Sequence, residues 1–235
     1  MINKERLLEI AKEAAFAAGE IHLANFGKPK QISHKTNEFD LVTNADKQSE
    51  EKIISIIKSH FPDHETLGEE SGAHGEKDSD YIWVIDPIDG TTNYAHNFPH
   101  FAVSIGLLFQ GKIHLGVVFD AFKNELFWAA EGCGAYLNSN PIKVSSIDSL
   151  SNALLATGFP YDRAEILEEN IGYFNKFLYK AQAVRRPGAA SLDLCYVACG
   201  RLDGFWELNL APWDTTAGAC IIKEAGGKIT NFGMK

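Results

Sequence analysis

Apolar residues recur at Leu7, Ala11, Ala14, Ala18 and Ile21, spaced by four and three. That is one face of an amphipathic helix, stopped by Gly27 and Pro29. A second helical period starts at Thr43, passes through Ile53, Ile56 and Ile57, and breaks at Pro62. Thr43 and Asp46 have the spacing of a capping box at its start. Residues 71–79 are mostly polar and predict a surface loop. Beyond it the period changes: short apolar runs at 81–85, 101–109, 113–119, 125–129 and 142–144 are parted by turn residues such as Gln110-Gly111 and Lys123-Asn124. These runs predict an antiparallel meander. Past Asn152 strands expected at 153–157, 183–186 and 205–207 alternate with helices expected at 164–178, 189–199 and 215–225. The pattern as a whole predicts layered helix and sheet, an α+β half (residues 1–150) followed by an α/β half (residues 151–235) in one compact unit. No repeat, low-complexity tract or flexible linker separates the halves.

Composition narrows the function. With 235 residues, 45% of them hydrophobic, the chain can bury a sizeable core. Its net charge of -9 leaves no basic footprint for a nucleic-acid backbone, so the acidity needs another use, and binding divalent cations is one. Residues 1–13 are charged and lack an apolar leader core, and the run 101–109 is interrupted by Ser104 and Gly106. Neither export nor a membrane span is expected, which places the chain in the cytoplasm. Cys133, Cys195, Cys199 and Cys220 form no C-x-x-C pair and read as free thiols.

The chemistry concentrates in three segments. Trp83-Val84-Ile85-Asp86-Pro87-Ile88-Asp89-Gly90-Thr91-Thr92 puts two carboxylates three apart directly after a buried strand, with Pro87 expected to end the strand and Gly90 to admit a helix. Carboxylates and backbone carbonyls are the donors a hard cation prefers, and the N–H groups of Gly90 and Thr91 at a helix start suit a phosphate. Taken alone, Asp-Pro and Asp-Gly read equally well as turns. Gly68-Glu69-Glu70-Ser71 follows an expected strand end, and Trp213-Asp214-Thr215-Thr216 opens the last helix, where Asp214 reads equally as an N-cap. Four carboxylates at strand ends and helix starts are harder to dismiss together, and they point to a metal site. Asp86 and Asp89 are three apart, not the two that an aspartyl-phosphate mechanism of the D-x-D kind uses. Neither a P-loop nor a G-x-S-x-G elbow occurs. His96 and His100 flank Pro99 in an expected loop, which argues against zinc.

In order, Gly68-Glu69-Glu70-Ser71, then Asp86 through Asn93-Tyr94, then Trp213-Asp214 with Gly226-Gly227 beyond, resemble the inositol monophosphatase family, bacterial type, over nearly the whole chain. The resemblance implies an αβαβα sandwich, a homodimer, and Mg²⁺-dependent hydrolysis of phosphate monoesters by activated water. It implies that Glu69, Asp86 and the Ile88 carbonyl bind one Mg²⁺, that Asp86, Asp89 and Asp214 bind a second, and that Glu69 and Thr91 orient and deprotonate the water. Asp89, Gly90, Thr91, Ala190, Glu207 and Arg185 are implied to meet the substrate, with Arg186 beside Arg185 and with an exposed structural arginine as the competing reading. Lys35 and Asp46 match a region that supports an extra metal, against the capping box for Asp46. The family continues for a few tens of residues past Gly226-Gly227, so its final strand and helix are expected to be missing and a sheet edge bare.

Within the family the substrates include inositol phosphates, fructose 1,6-bisphosphate, adenosine 3',5'-bisphosphate and histidinol phosphate. Thr92-Asn93-Tyr94 and Glu207 favour myo-inositol 1-phosphate, and fructose 1,6-bisphosphate is the alternative. A different class of function is also implied, because some bacterial relatives bind the transcription machinery.

Overall fold

Two helices open the chain and lie side by side. α1 (Lys4–Asn25) is capped by the Asn3 side chain, which accepts the Glu5 N–H at 2.9 Å. A short hairpin, β1 (Ile32–His34) with β2 (Leu41–Thr43), leads into α2 (Asn44–His60). The capping box expected at its start is formed, with the Thr43 N–H donating to Asp46 Oδ2 at 2.8 Å and the Ala45 N–H to Thr43 Oγ1 at 3.2 Å. The computed structural model describes residues 3–28, 32–34, 41–75, 79–160 and 164–234; Lys35 lies outside the described residues.

Next come β3 (Glu65–Gly68), β4 (Gly72–His74), β5 (Tyr81–Asp89), the short helix α3 (Thr91–Ala95), β6 (Ala102–Phe109), β7 (Lys112–Asp120), β8 (Glu125–Ala130), β9 (Ala135–Leu137) and β10 (Asn140–Ile142). They form one eight-stranded sheet in the order β10-β9-β8-β7-β6-β5-β3-β4. All pairings are antiparallel except β3 with β5. The meander is therefore largely as expected, with three differences. Part of the expected loop 71–79 pairs as β4 at the sheet edge. The expected strand 142–144 is instead a hairpin of β9 and β10, two short strands set earlier in the chain. Pro87 does not end β5, which continues to Asp89 through a register shift between Asp86 and Asp89. A proline, having no N–H for the ladder, is tolerated where a bulge has already broken it.

The remainder is β11 (Leu154–Thr157), α4 (Ala164–Leu178), β12 (Ala183–Arg185), α5 (Ala190–Ala198), β13 (Gly204–Trp206) and α6 (Pro212–Glu224). β12, β11 and β13 form a parallel three-stranded sheet. The layers run α1 and α2, large sheet, α5 and α6, small sheet, α4, which is an αβαβα sandwich. One core fills the α1/α2 face of the large sheet around Leu7, Ile10, Trp83, Ile105 and Leu115, and a second fills the opposite face around Val118, Phe127, Leu192 and Ile221. α6 crosses that second face so closely that a Cβ on Gly116 would lie 2.4 Å from the Ala217 carbonyl oxygen. The last helix of the α/β half is thus pressed onto the sheet of the α+β half, and its first turn arrives beside the end of β5. No described helix is long and apolar enough to cross a membrane.

Candidate active site

Strand ends and helix starts converge on a cavity of about 330 Å³. Glu69 follows β3, Asp86, Ile88 and Asp89 belong to β5, and Gly90 and Thr91 form the turn into α3. Gly90 has φ +89°, a left-handed conformation that lets β5 turn directly into α3. From the other side come Gly158-Phe159-Pro160 after β11, Arg186 and Gly188 after β12, residues 207–211 after β13, and Trp213 and Asp214 from α6. Glu69, Asp86, Asp89, Glu207 and Asp214 face one another across the cavity, and Arg186 is the one cationic side chain among the described lining residues.

Each acid is held differently. Asp86 is 2% exposed and its Oδ1 has no hydrogen-bond partner. Burial, then the neighbouring carboxylates of Glu69, Asp89 and Asp214, push its pKa well above the ordinary range. Of those neighbours Glu69 contributes most to the Asp86 shift, which puts the end of β3 directly against the centre of β5. Asp89 accepts from the Ala190 N–H (3.1 Å), the Ser191 N–H (2.7 Å) and the Ser191 hydroxyl (2.5 Å) at the start of α5. Burial raises its pKa all the same, against those bonds. Asp214 sits at the third position of α6, not at its N-cap; the helix starts at Pro212, and Asp214 Oδ2 accepts the N–H of the cap residue Ala211 at 2.6 Å. Ala211 has no side-chain acceptor to return the bond, so only half a capping box exists. Burial lifts Glu207 to about 8, helped by Asp89 and Asp214 and opposed by Arg186.

The Thr91 hydroxyl lies 2.9 Å from the Ile88 carbonyl oxygen and 3.0 Å from Asp46 Oδ1, and its single proton serves one acceptor at a time. Asp46 therefore caps α2, as the local spacing predicts, and also touches the site through Thr91. Arg185, expected at the substrate, does not line the cavity and donates to the carbonyl of its neighbour Val184; Arg186, also exposed, does line it. Successive residues of an extended chain point to opposite sides, so only one of the pair can face inward. Ala190 lines the cavity, with its N–H engaged by Asp89.

Several lining residues had no signal in the sequence, namely Leu41, Phe159, Pro160 and Leu208 through Leu210. Asn93 was visible only as part of the motif. Its side-chain amide reaches the carbonyls of His100 (2.8 Å), Pro187 (2.9 Å) and Gly188 (3.2 Å), tying α3 to the loop after β12.

No three Asp, Glu, His or Cys side chains among the described residues already form a finished metal cage. The donor set nevertheless fits a hard divalent cation. It is all oxygen, its central carboxylate is buried with an unpartnered Oδ1, and the repulsion among its acids is what a cation relieves.

The sequence profile of the inositol monophosphatase family matches residues 3–235. The chain belongs to that family. Among relatives of the family, an inositol-1-monophosphatase of Synechocystis sp. is 50% identical over 225 residues, covering 96% of this chain and 78% of its own length. A protein of Aquifex aeolicus described as fructose-1,6-bisphosphatase/inositol-1-monophosphatase is 45% identical over 234 residues, 99% of this chain and 88% of its own. The solved inositol monophosphatase of Anabaena (Nostoc) sp. superposes with a TM-score of 0.89 at 48% identity, covering 98% of this chain and 86% of that one. The family supports phosphate-monoester hydrolysis and is metal-dependent, while the names of its members do not agree on one substrate.

Proposed function

We propose that the protein hydrolyses myo-inositol 1-phosphate to myo-inositol and phosphate with Mg²⁺, and that Glu69, Asp86, the Ile88 carbonyl, Asp89 and Asp214 hold the cation. The observation that carries the reading is the charge of the cavity. Five carboxylates and one arginine line it, and a phosphate dianion enters such a space only with compensating positive charge. When bound, Mg²⁺ neutralises the ester oxygens and acidifies a water.

The chain's own groups do the rest. If the Ile88 carbonyl served the cation, the Thr91 hydroxyl would donate to Asp46 instead and keep its lone pairs free to accept from the attacking water. Glu69, beside Asp86, accepts that water's proton. Gly90 and Thr91, where β5 turns into α3, seat the phosphate. Glu207 accepts a hydrogen bond from a hydroxyl of the polyol, and Ala190 and Arg186 complete that side of the cavity. Polyol recognition by an acid favours inositol phosphate, and the Aquifex relative keeps fructose 1,6-bisphosphate as the alternative.

The test is phosphate release with Mg²⁺ from myo-inositol 1-phosphate, fructose 1,6-bisphosphate and adenosine 3',5'-bisphosphate, with Asp86→Asn as the blank. The inositol ester is expected to turn over fastest. Faster release from the fructose ester would reassign the substrate, and equal rates for wild type and blank would remove the site.

A further inference from the structure

His22 is fully buried near the C-terminal end of α1, remote in sequence from every acid of the cavity. Its Nε2 lies 2.9 Å from the carbonyl oxygen of Pro87, the residue between Asp86 and Ile88. At that point β5 is out of register with β6, and a carbonyl freed by the shift must find a donor elsewhere. Because a carbonyl only accepts, the bond assigns the ring proton to Nε2. The backbone of the same residue makes a second link: His22 O accepts the Tyr94 hydroxyl at 2.9 Å, and Tyr94 lies on α3, the helix that opens with Thr91. Tyr94 and Phe101 pack around the imidazole, with ring centroids 6.0 and 5.8 Å away. Burial pushes the imidazole down to about 4, against the Pro87 bond, so the ring is neutral and the link intact at neutral pH.

We propose that His22 is a positioning residue, whose ring and backbone oxygen hold the two arms of the β5–α3 turn so that Asp86 and the Ile88 carbonyl meet at the cation with Thr91 set beside them. The proposal rests on the cation reading of the cavity. It assigns to α1, which contributes no lining residue, control over cation affinity. A merely structural histidine, satisfied by a convenient carbonyl, would affect stability alone.

Calorimetric titration of Mg²⁺ into substrate-free protein separates the two. His22→Phe keeps a ring of similar size and removes the donor, whereas His22→Gln keeps an N–H at comparable reach. Phe101→Leu disturbs the same apolar cluster without touching Pro87. His22→Phe is expected to weaken Mg²⁺ binding about 10- to 100-fold, the usual cost of losing a group that orients a metal ligand. His22→Gln is expected to recover most of that loss, and Phe101→Leu to bind as wild type even where its melting temperature falls as far. With Mg²⁺ saturating, KM for the phosphate ester stays at the wild-type value. Should His22→Phe fail to fold, Tyr94→Phe removes one oxygen from the other arm and is expected to weaken Mg²⁺ about fivefold. Wild-type affinity in the variant without the donor, or affinity that follows melting temperature across the whole set, overturns the proposal. A wild-type protein that binds no Mg²⁺ overturns the cation reading, and this inference with it.

Discussion

Glu69, Asp86, Ile88 and Thr91 stand on one wall of the cavity, Arg186, Glu207 and Leu208 on the other, and different interactions hold the two walls. The first wall grows out of β3 and β5 inside the large sheet, and side chains from α1 and α2 reach into its backbone. His22 holds Pro87, Asp46 accepts from Thr91, and Glu50, 2% exposed, accepts the Glu70 N–H at 2.9 Å. The second wall consists of the loops after β11, β12 and β13, all at the carboxyl ends of a short parallel sheet, where ligands collect in open α/β sheets. Its supports come from α4 and from its own strands, while the Asn93 amide of α3 ties in the loop after β12. Asn170 of α4 donates to the Gly158 carbonyl and accepts the Trp206 indole N–H at 2.8 Å, and Thr157 donates to the Trp206 carbonyl at 2.7 Å. Anchoring inside a sheet suits groups whose displacement by an ångström ruins the chemistry, and loops suit selection among substrates, since they change without disturbing a core.

Asp86→Asn breaks the first wall at its centre and carries the largest expected effect. Phosphate release should fall at least about a thousandfold, or roughly 4 kcal/mol of transition-state stabilisation. The same change removes the carboxylate that Glu69, Asp89 and Asp214 repel, so the metal-free variant should be more stable than wild type. About 1 kcal/mol, or roughly 2–4 °C in melting temperature, is expected by scanning calorimetry in chelator. A variant both inactive and less stable would mean that Asp86 is a structural acid.

The acids and the histidines respond to pH in opposite directions, which sharpens the comparison. Glu207 is raised from 4.5 to about 8, so the fold favours its protonated form; that stability is complete below pH 4.5 and is lost as pH rises through 8. His22 and His100 are lowered by burial from 6.5 to about 4, so the fold favours their neutral forms. Their contribution is complete above pH 6.5 and is lost as pH falls through 4, about 3 kcal/mol for the fully buried His22. Metal-free protein should therefore be most stable at mildly acidic pH. Added Mg²⁺ should lift the alkaline limb and leave the acid limb in place, measured as melting temperature against pH with and without the cation. An acid limb that Mg²⁺ also abolishes would show that the histidines do not cause it.

How much of this was legible beforehand depends on the kind of interaction. Periodicity located α1 and α2, and local spacing found the Thr43–Asp46 box, because those contacts lie within a few residues. The motif around Asp86 stood out because its residue types are unusual together. Pro87 misled, since a proline inside a strand normally ends it, and the bulge that accommodates it depends on the pairing with β6. Choosing between Arg185 and Arg186 required knowing which side of the chain faces the cavity, which only the placement of β12 decides. Asp214 looked like a cap because the helix was expected three residues too late, and Pro212 at its first position was the overlooked signal. His22 gave no sign at all: on a helix it reads as one more residue of the buried face, and its partner is 65 positions away.

Glu207→Gln gives the smallest effect and tests the second wall alone. Glutamine keeps the shape and the acceptor oxygen and removes only the group that ionises near pH 8 beside Arg186, so the cation site should survive and Mg²⁺ affinity should stay within about threefold of wild type. One hydrogen bond to a polyol hydroxyl is weakened, which corresponds to about a tenfold rise in KM for myo-inositol 1-phosphate with kcat nearly unchanged. Fructose 1,6-bisphosphate presents its hydroxyls differently and should be affected less, so the ratio of the two kcat/KM values is the quantity to measure. A change confined to KM for the inositol ester assigns selection to the loop wall. A fall in kcat for both substrates would mean that Glu207 works with the acids of the opposite wall, and that the two walls cannot be separated.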